Sequence, residues 1–319
     1  MPLGGSRLYL LMRVRRRFTL ELGRKKIKLG ERTLIMGVLN ITPDSFSDGG
    51  RYFTPARAVR RGIEMARAGA DWIDVGGEST RPGAIPVAEA EELRRVLPVI
   101  ERLHRRLPHV PLSIDTRKAE VAEAALRAGA SIVNDVSGLR FDPELARVAG
   151  RQGAALVLVH SRGNPATMQR LPFARSAWRS VREGLAGSLR RAKKAGIPPG
   201  RIILDPGLGF GKSRRQNYEL LAQLGRLRAL GAPILVGSSR KSFVQAAVAG
   251  EALDGGKLGS TSFLQLAKQA KSESLALDFG DAAAVTAAIL AGAHIVRVHN
   301  VAAALSARRV ADRILASTR

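Results

Sequence analysis

The chain contains no cysteine. Disulfides and thiolate metal sites are therefore excluded, and the composition fits a reducing compartment, so a cytoplasmic location is expected. Aromatic residues make up only 4% of the chain. Long apolar runs are absent too, and without a stretch of about 18 such residues no membrane partner or spanning helix is expected. The opening residues, MPLGGSRLYLLMRVRRR, place their charges after a very short apolar patch. That is not a secretory pattern, although an arginine-rich, acid-poor start is also the composition of an organelle-targeting leader.

Acidic residues are the other shortage. Asp and Glu total 27 against 52 Lys and Arg, a net charge of +25 over 319 residues. Such a balance suits a nucleic-acid binder. The scarcity of aromatics argues otherwise, as does the scatter of arginine along helical stretches such as ARAVRRGIEMARAG and EELRRVLPVIERLHRRL. Solvated helix faces account for that distribution, so nucleic acid is not the expected partner. A positive field also concentrates small anionic substrates.

What is present in abundance is one repeated phrase: an amphipathic helix, a Gly-Ala stop, then an apolar strand ending in polar residues. ARAGADWIDVGGEST, LRAGASIVNDVSG, RQGAALVLVHSRG and LAGAHIVRVHN all follow it. Glycine ends each helix in the left-handed region, and continuous apolar strands suit a parallel sheet covered on both faces. Eight strands are predicted near 34–41, 71–77, 110–116, 131–137, 155–160, 202–206, 233–239 and 294–299, with helical periodicity between them. Thr54 and Pro55 form an N-cap and first-turn pair ahead of one such helix. Eight strand–helix units at this length predict an α/β fold, a closed (β/α)8 barrel, with a doubly wound open sheet as the alternative. Residues 1–17 read as a basic N-terminal extension and 18–319 as a single barrel domain. Alternation around Gly23 predicts a β-hairpin closing the barrel bottom. Residues 249–280 read as an insertion between the seventh strand and its main helix: a lid, an oligomer contact or a tolerated loop.

In such a barrel the active site collects at the C-terminal strand ends. Those ends carry Asn40, Asp74, Asp115, Asn134 with Asp135, His160, Asp205, Ser238–Ser242, and Arg297 with His299. Any one Asp here could be a structural acid or a helix cap, and Asp74 and Glu78 read as structural. Convergence of eight polar ends on one rim is another matter. Asn and Asp side chains offer paired donors and acceptors suited to a flat, amide-rich heterocycle. Arg297, His299 and Arg81 offer cationic donors for a phosphate or diphosphate, with Lys241 a mobile charge beside them.

The segment RIILDPGLGFGKS, 201–213, resembles a phosphate-gripping loop. A Walker loop needs glycine where this chain has Pro206, and a dinucleotide fingerprint does not fit Gly207, Gly209 and Gly211 in alternation. It reads instead as a pocket wall following a strand that ends in Asp205.

IMGVLNITPDSFSDGG, DWIDVGGESTRPGA, LSIDTRKAEVAEAAL, IVNDVSGL, ILDPGLGFGK, GSSRKSF and IVRVHNV, in this order and at barrel spacing, resemble the dihydropteroate synthase family of pterin-binding TIM barrels. The resemblance runs from about residue 18 to 310. It implies a transferase of folate biosynthesis that condenses 6-hydroxymethyl-7,8-dihydropterin diphosphate with p-aminobenzoate and releases diphosphate. It further implies a pterin held by Asp115, Asn134, Asp205 and Lys241. The diphosphate would meet Asn40, Thr80, Arg81, Arg297 and His299, with Mg2+ at Asn40. A p-aminobenzoate subsite would be completed by Thr42, Pro43, Phe46, Pro82, Phe210, Lys241 and Ser242. Catalysis would centre on Lys241, Asp115 and Arg297, with two loops closing over the site, and a homodimer is implied.

Three places depart from the family pattern: LVHSRG where a methionine-rich motif is usual, RVHNV where RVHDV is usual, and the length of 249–280. Two other functions share parts of this pattern. A pterin-dependent methyltransferase would keep the Asp and Asn contacts but not TPDSFSDGG or the Arg-x-His pair. A non-catalytic basic barrel would bind a partner or nucleic acid without turnover.

Overall fold

The computed structural model describes residues 15–317, apart from residues 24, 43–53, 81–82, 164–166, 169–172, 252 and 254–269. Eight apolar runs form eight parallel strands: β3 (Leu34–Asn40), β4 (Trp72–Gly76), β5 (Leu112–Asp115), β6 (Ile132–Asp135), β7 (Ala155–Val159), β8 (Ile202–Asp205), β9 (Leu235–Gly237) and β10 (Ile295–Val298). They pair in the order β8-β7-β6-β5-β4-β3-β10-β9. The two ends of that order meet, because Leu204 bridges Ile234 in parallel and its N–H donates to the Pro233 carbonyl at 2.9 Å. The sheet closes into the expected (β/α)8 barrel and leaves no barrel edge open to pairing.

Between the strands run α1 (Pro55–Arg67), α2 (Glu89–Arg106), α3 (Ala119–Arg127), α4 (Glu144–Arg151), α5 (Ala177–Lys194), α6 (Arg214–Ala222), α7 (Ser242–Val248), α8 (Ala270–Leu290) and α9 (Val301–Ser317). Pro55 takes the first helical position of α1 as expected, while Thr54 precedes it in extended backbone without a side-chain cap bond. Outward strand residues such as Ile73, Ile114, Val133, Leu156 and Val296 pack against the helices.

Inward residues tell the functional story. Side chains two apart along a strand share a face, and four strands make the same change in one step. Trp72 is followed by Asp74, Ile132 by Asn134, Ile203 by Asp205 and Ile295 by Arg297. The lower members join one apolar cluster that fills the barrel, with Trp72 and Ile295 fully buried. Truncating a core residue such as Trp72 to alanine would cost about 3–5 kcal/mol. Directly above that packed floor the lining turns polar.

The antiparallel hairpin of β1 (Phe18–Leu22) and β2 (Lys25–Leu29) places Leu20, Leu22 and Leu29 in the same interior cluster, so it plugs the bottom as its alternation predicted. Arg15, just before it, is buried and ion-paired to Asp312 of α9 at 2.6 Å. Of the segment read as an insertion ahead of the main helix, residues 270–280 already belong to that helix and form the first half of α8. This helix packs against both α7 and α9. Contact on two sides leaves no single apolar stripe, which is why its periodicity is weak.

Candidate active site

Asp115, Asn134, Asp205, Phe210, Lys241, Arg297 and Thr80 line one cavity at the C-terminal mouth of the barrel, walled otherwise by Val136, Val159, Gly207, Leu208 and Gly237. Residues spread over most of the chain thus face a common space. Its floor is a charged lattice. Arg297 donates from Nε to Asp74 Oδ2 and from Nη2 to Asp115 Oδ2, each at 2.6 Å. Asn134 Nδ2 donates to the same Asp74 oxygen at 2.9 Å. Asp74 therefore sits beneath the cavity and orients two of its lining side chains, in keeping with the structural role read from the sequence.

Burial governs the charges. It pushes the Asp115 carboxyl up to about 7, with Arg297 opposing and Asp74 adding to the rise. Asp205 is likewise pushed up to about 6, against the pull of the Gly207 N–H. Burial and then the neighbouring Arg297 lower Lys241 to about 8. Lys241 Nζ lies 3.9 Å from the Phe210 ring centroid, a cation–π contact that places an ammonium and an aromatic face on one wall.

The glycine loop after β8 is wall rather than cradle. Lys212 turns away from the cavity and donates to the carbonyls of Gly207 at 2.7 Å, Phe210 at 3.1 Å and His160 at 3.2 Å. The Gly207 N–H donates to Asp205 Oδ1 at 2.6 Å. A Cβ on Gly207 would stand 1.9 Å from the His160 carbonyl oxygen, and one on Gly209 3.0 Å from Lys241 Cδ. Glycine here lets two backbones and the lysine stem pass closely. Ser213 and Gln216 then form a capping box that starts α6 and fixes the loop's exit.

The remaining expected residues lie around the mouth or beyond view. Asn40 ends β3, with its Oδ1 on the same side of Gly76 as Asp115. Thr42 follows it, half-buried. Ser242 is exposed at the start of α7, and His299 is half-buried after β10. Pro43, Phe46, Arg81 and Pro82 lie outside the described residues. Other strand ends do structural work. Asp135 accepts the N–H groups of Ser137 and Leu139, and Glu78 accepts from Arg117 at 2.9 Å and Lys118 at 2.6 Å. His160 is buried, with Ser180 Oγ 3.4 Å from its Nε2.

Comparison with known proteins agrees with this geometry. Residues 36–299 match the family described as pterin binding enzyme. The chain belongs to that family, among the dihydropteroate synthases. It is 43% identical to the dihydropteroate synthase of Synechocystis over 92% of this chain and 94% of that protein. Identity to the Escherichia coli K12 enzyme is 40% over 89% of this chain and 92% of that protein. Among solved structures, Yersinia pestis dihydropteroate synthase with a sulfonamide drug complex superposes with a TM-score of 0.80 at 36% identity, covering 94% of this chain and 100% of that one. The Xanthomonas albilineans enzyme in complex with 7,8-dihydropteroate gives 0.76 at 36% identity, covering 93% and 99%.

Against that family background, the residues that sequence reasoning missed are the supporting ones. Lys212 lies in the glycine loop read as a pocket wall, and its inward turn has no sequence pattern of its own. Asp281, on α8, reaches Ser239 and Arg240 after β9. It was hidden in a stretch whose helical period is weak.

Proposed function

We propose that this cavity condenses 6-hydroxymethyl-7,8-dihydropterin diphosphate with p-aminobenzoate to give 7,8-dihydropteroate and diphosphate. The observation that carries the reading is the placement of Asp115, Asn134, Asp205, Lys241 and Arg297 around one mouth. Asp205, Asp115 and the Asn134 Oδ1 supply acceptors for the amino and ring N–H groups of a pterin, and Lys241 supplies a donor. Phe210 gives an aromatic face for the p-aminobenzoate ring, with Thr42 and Ser242 at the rim. Thr80, Arg297 and His299 meet the diphosphate, joined by Arg81 of the second loop.

The bond between the pterin methylene carbon and the diphosphate oxygen breaks with its electron pair leaving on oxygen. The reduced ring shares the positive charge left on carbon. The arylamine nitrogen then bonds to that carbon and gives up a proton. Arginine and imidazole donors already in place favour the developing diphosphate charge, and the amine needs orientation more than a strong base.

A magnesium ion fits the donor set at Asn40. Among the described residues no group of three His, Asp or Glu forms a metal cage. Magnesium, however, takes most of its ligands from water and substrate phosphates, with one or two from protein. Bound there, it would neutralise charge on the diphosphate. We place the enzyme in the cytoplasm, and no helix among the described residues is long and apolar enough to cross a membrane. A homodimer fits the exposed Leu275 and Phe279 on α8 and Val310 on α9, two helices packed together.

The test is to follow diphosphate release from the pterin substrate with magnesium. Release that depends on p-aminobenzoate supports the reading. A folded chain that releases none under either condition would sink it in favour of a binding protein.

A further inference from the structure

Asp281 belongs to α8 yet braces two loops of the mouth. Its Oδ2 accepts from Ser239 Oγ at 2.7 Å, and its Oδ1 accepts the Arg240 N–H at 2.9 Å. Both Ser239 and Asp281 are buried. Ser239 Oγ in turn lies 3.1 Å from His299 Nδ1 and 3.3 Å from the His299 backbone nitrogen. A hydroxyl has one proton, and a carboxylate that takes three donor contacts from Ser239 and Arg240 can only accept. The serine proton therefore points to Asp281, and Ser239 accepts from the ring. Nδ1 therefore donates to Ser239 Oγ, and that bond fixes the rotation of the ring.

The second contact matters as much. Arg240 sits at φ 57, in the left-handed region that side-chain-bearing residues seldom occupy. The residue after it is Lys241. Asp281 grips the Arg240 N–H, so one carboxylate secures both the loop presenting Lys241 and, through Ser239, the ring after β10. No sequence motif joins these three positions; the fold brings them together.

We infer that Asp281 and Ser239 are positioning residues of the diphosphate end of the site: they set the orientation of the His299 ring and hold the Lys241 loop in register with it. This rests on the reading that His299 meets the leaving diphosphate. A charged brace from the helix behind the sheet gives a neutral hydroxyl a fixed direction, which water or a second hydroxyl would not. The relay makes no bond to substrate. Its contribution is geometry at the moment the diphosphate leaves.

Ser239→Ala and Asp281→Asn separate this role from simple bracing of the backbone. Ser239→Ala leaves the Asp281 contact to Arg240 in place and removes the serine's bonds to Asp281 and to His299. For each variant the readouts are kcat and KM for both substrates, together with the 15N signals of the histidine rings. The His299 signal is assigned by its loss in His299→Gln. In the native protein it is expected to show the proton on Nδ1. Ser239→Ala should alter that ring signal, because the ring loses its fixed orientation, and lower kcat at least about fivefold, with the KM for p-aminobenzoate within about twofold of native. Asp281→Asn should do the same and also raise that KM, because the Lys241 loop loosens. Native kcat and an unchanged ring signal in Ser239→Ala would overturn the inference. Should Asp281→Asn fail to fold, Ser239→Ala still decides. Native turnover in His299→Gln would instead refute the diphosphate role of His299, while the ring signal in Ser239→Ala would still test the relay.

Discussion

Arg297 reaches Asp115 across the barrel mouth, Nη2 to Oδ2 at 2.6 Å, from strands that are not neighbours in the sheet. The same guanidinium holds Asp74 with Nε, so one cation stands between two buried carboxylates. Removing one partner of such a group leaves uncompensated charge in a buried site. Asp115→Asn keeps the volume but weakens both the hold on Arg297 and the acceptor offered to pterin. Turnover should fall at least about tenfold, which is about 1.4 kcal/mol of barrier. Asp74→Ala should cost stability as well, about 3–5 kcal/mol by denaturant unfolding, since it frees both Arg297 Nε and Asn134 Nδ2.

Lys241 is the second expectation. Its ammonium faces the Phe210 ring, and its stem passes over Gly209 into the cavity. On the proposed reading, Lys241→Ala removes a donor to the pterin and a charge beside the arylamine wall at once. A loss of at least about tenfold in turnover is expected, with unfolding little changed because no buried partner depends on it alone. Native rates in both Lys241→Ala and Asp115→Asn would remove the site assignment.

The cavity charges also set a pH range. On the proposed reading, pterin recognition needs Asp205 and Asp115 ionised, and burial pushes these up to about 6 and about 7. It needs Lys241 protonated, and burial brings that group down to about 8. Accordingly kcat/KM for the pterin substrate should rise between pH 5 and 7 and fall above about 8. Rates at saturating p-aminobenzoate across pH 5–9 check this, and a flat profile would contradict it.

The barrel and its ligand-facing ring could be read from the chain because both follow local rules. Period-two alternation puts Arg297 and Asn134 inward, and a Gly-Ala stop marks where five of the eight strands begin. The supporting shell follows no such rule. Asp281 meets Ser239 across 42 residues, and Asp74 meets Arg297 across 223. Neither spacing reflects a helical or strand repeat, so only the closed barrel brings the partners together. Lys212 misleads for the opposite reason. It sits in a stretch resembling an anion loop, but a lysine's long stem can curl back onto its own chain as readily as reach a ligand.

That inward turn has a measurable signature. Burial lowers Lys212 to about 7, with Asp205 opposing and Lys241 adding. The unfolded chain holds the proton up to about 10.5. Between those values the unfolded state binds more protons, so this group adds stability as pH rises and loses it as pH falls toward 7. Lys212→Met fills similar space without titrating. The difference in unfolding free energy between native protein and variant should therefore shift in favour of the native protein from pH 7 to 10, by at most about 1.4 kcal/mol per pH unit. Lys241 titrates nearby in both proteins, so the difference removes most of its share and keeps only its coupling to Lys212. Pterin diphosphate should still bind the variant, because the lysine touches loop carbonyls rather than ligand. A difference that stays constant with pH, joined to lost diphosphate binding, would mean that the ammonium faces the substrate after all.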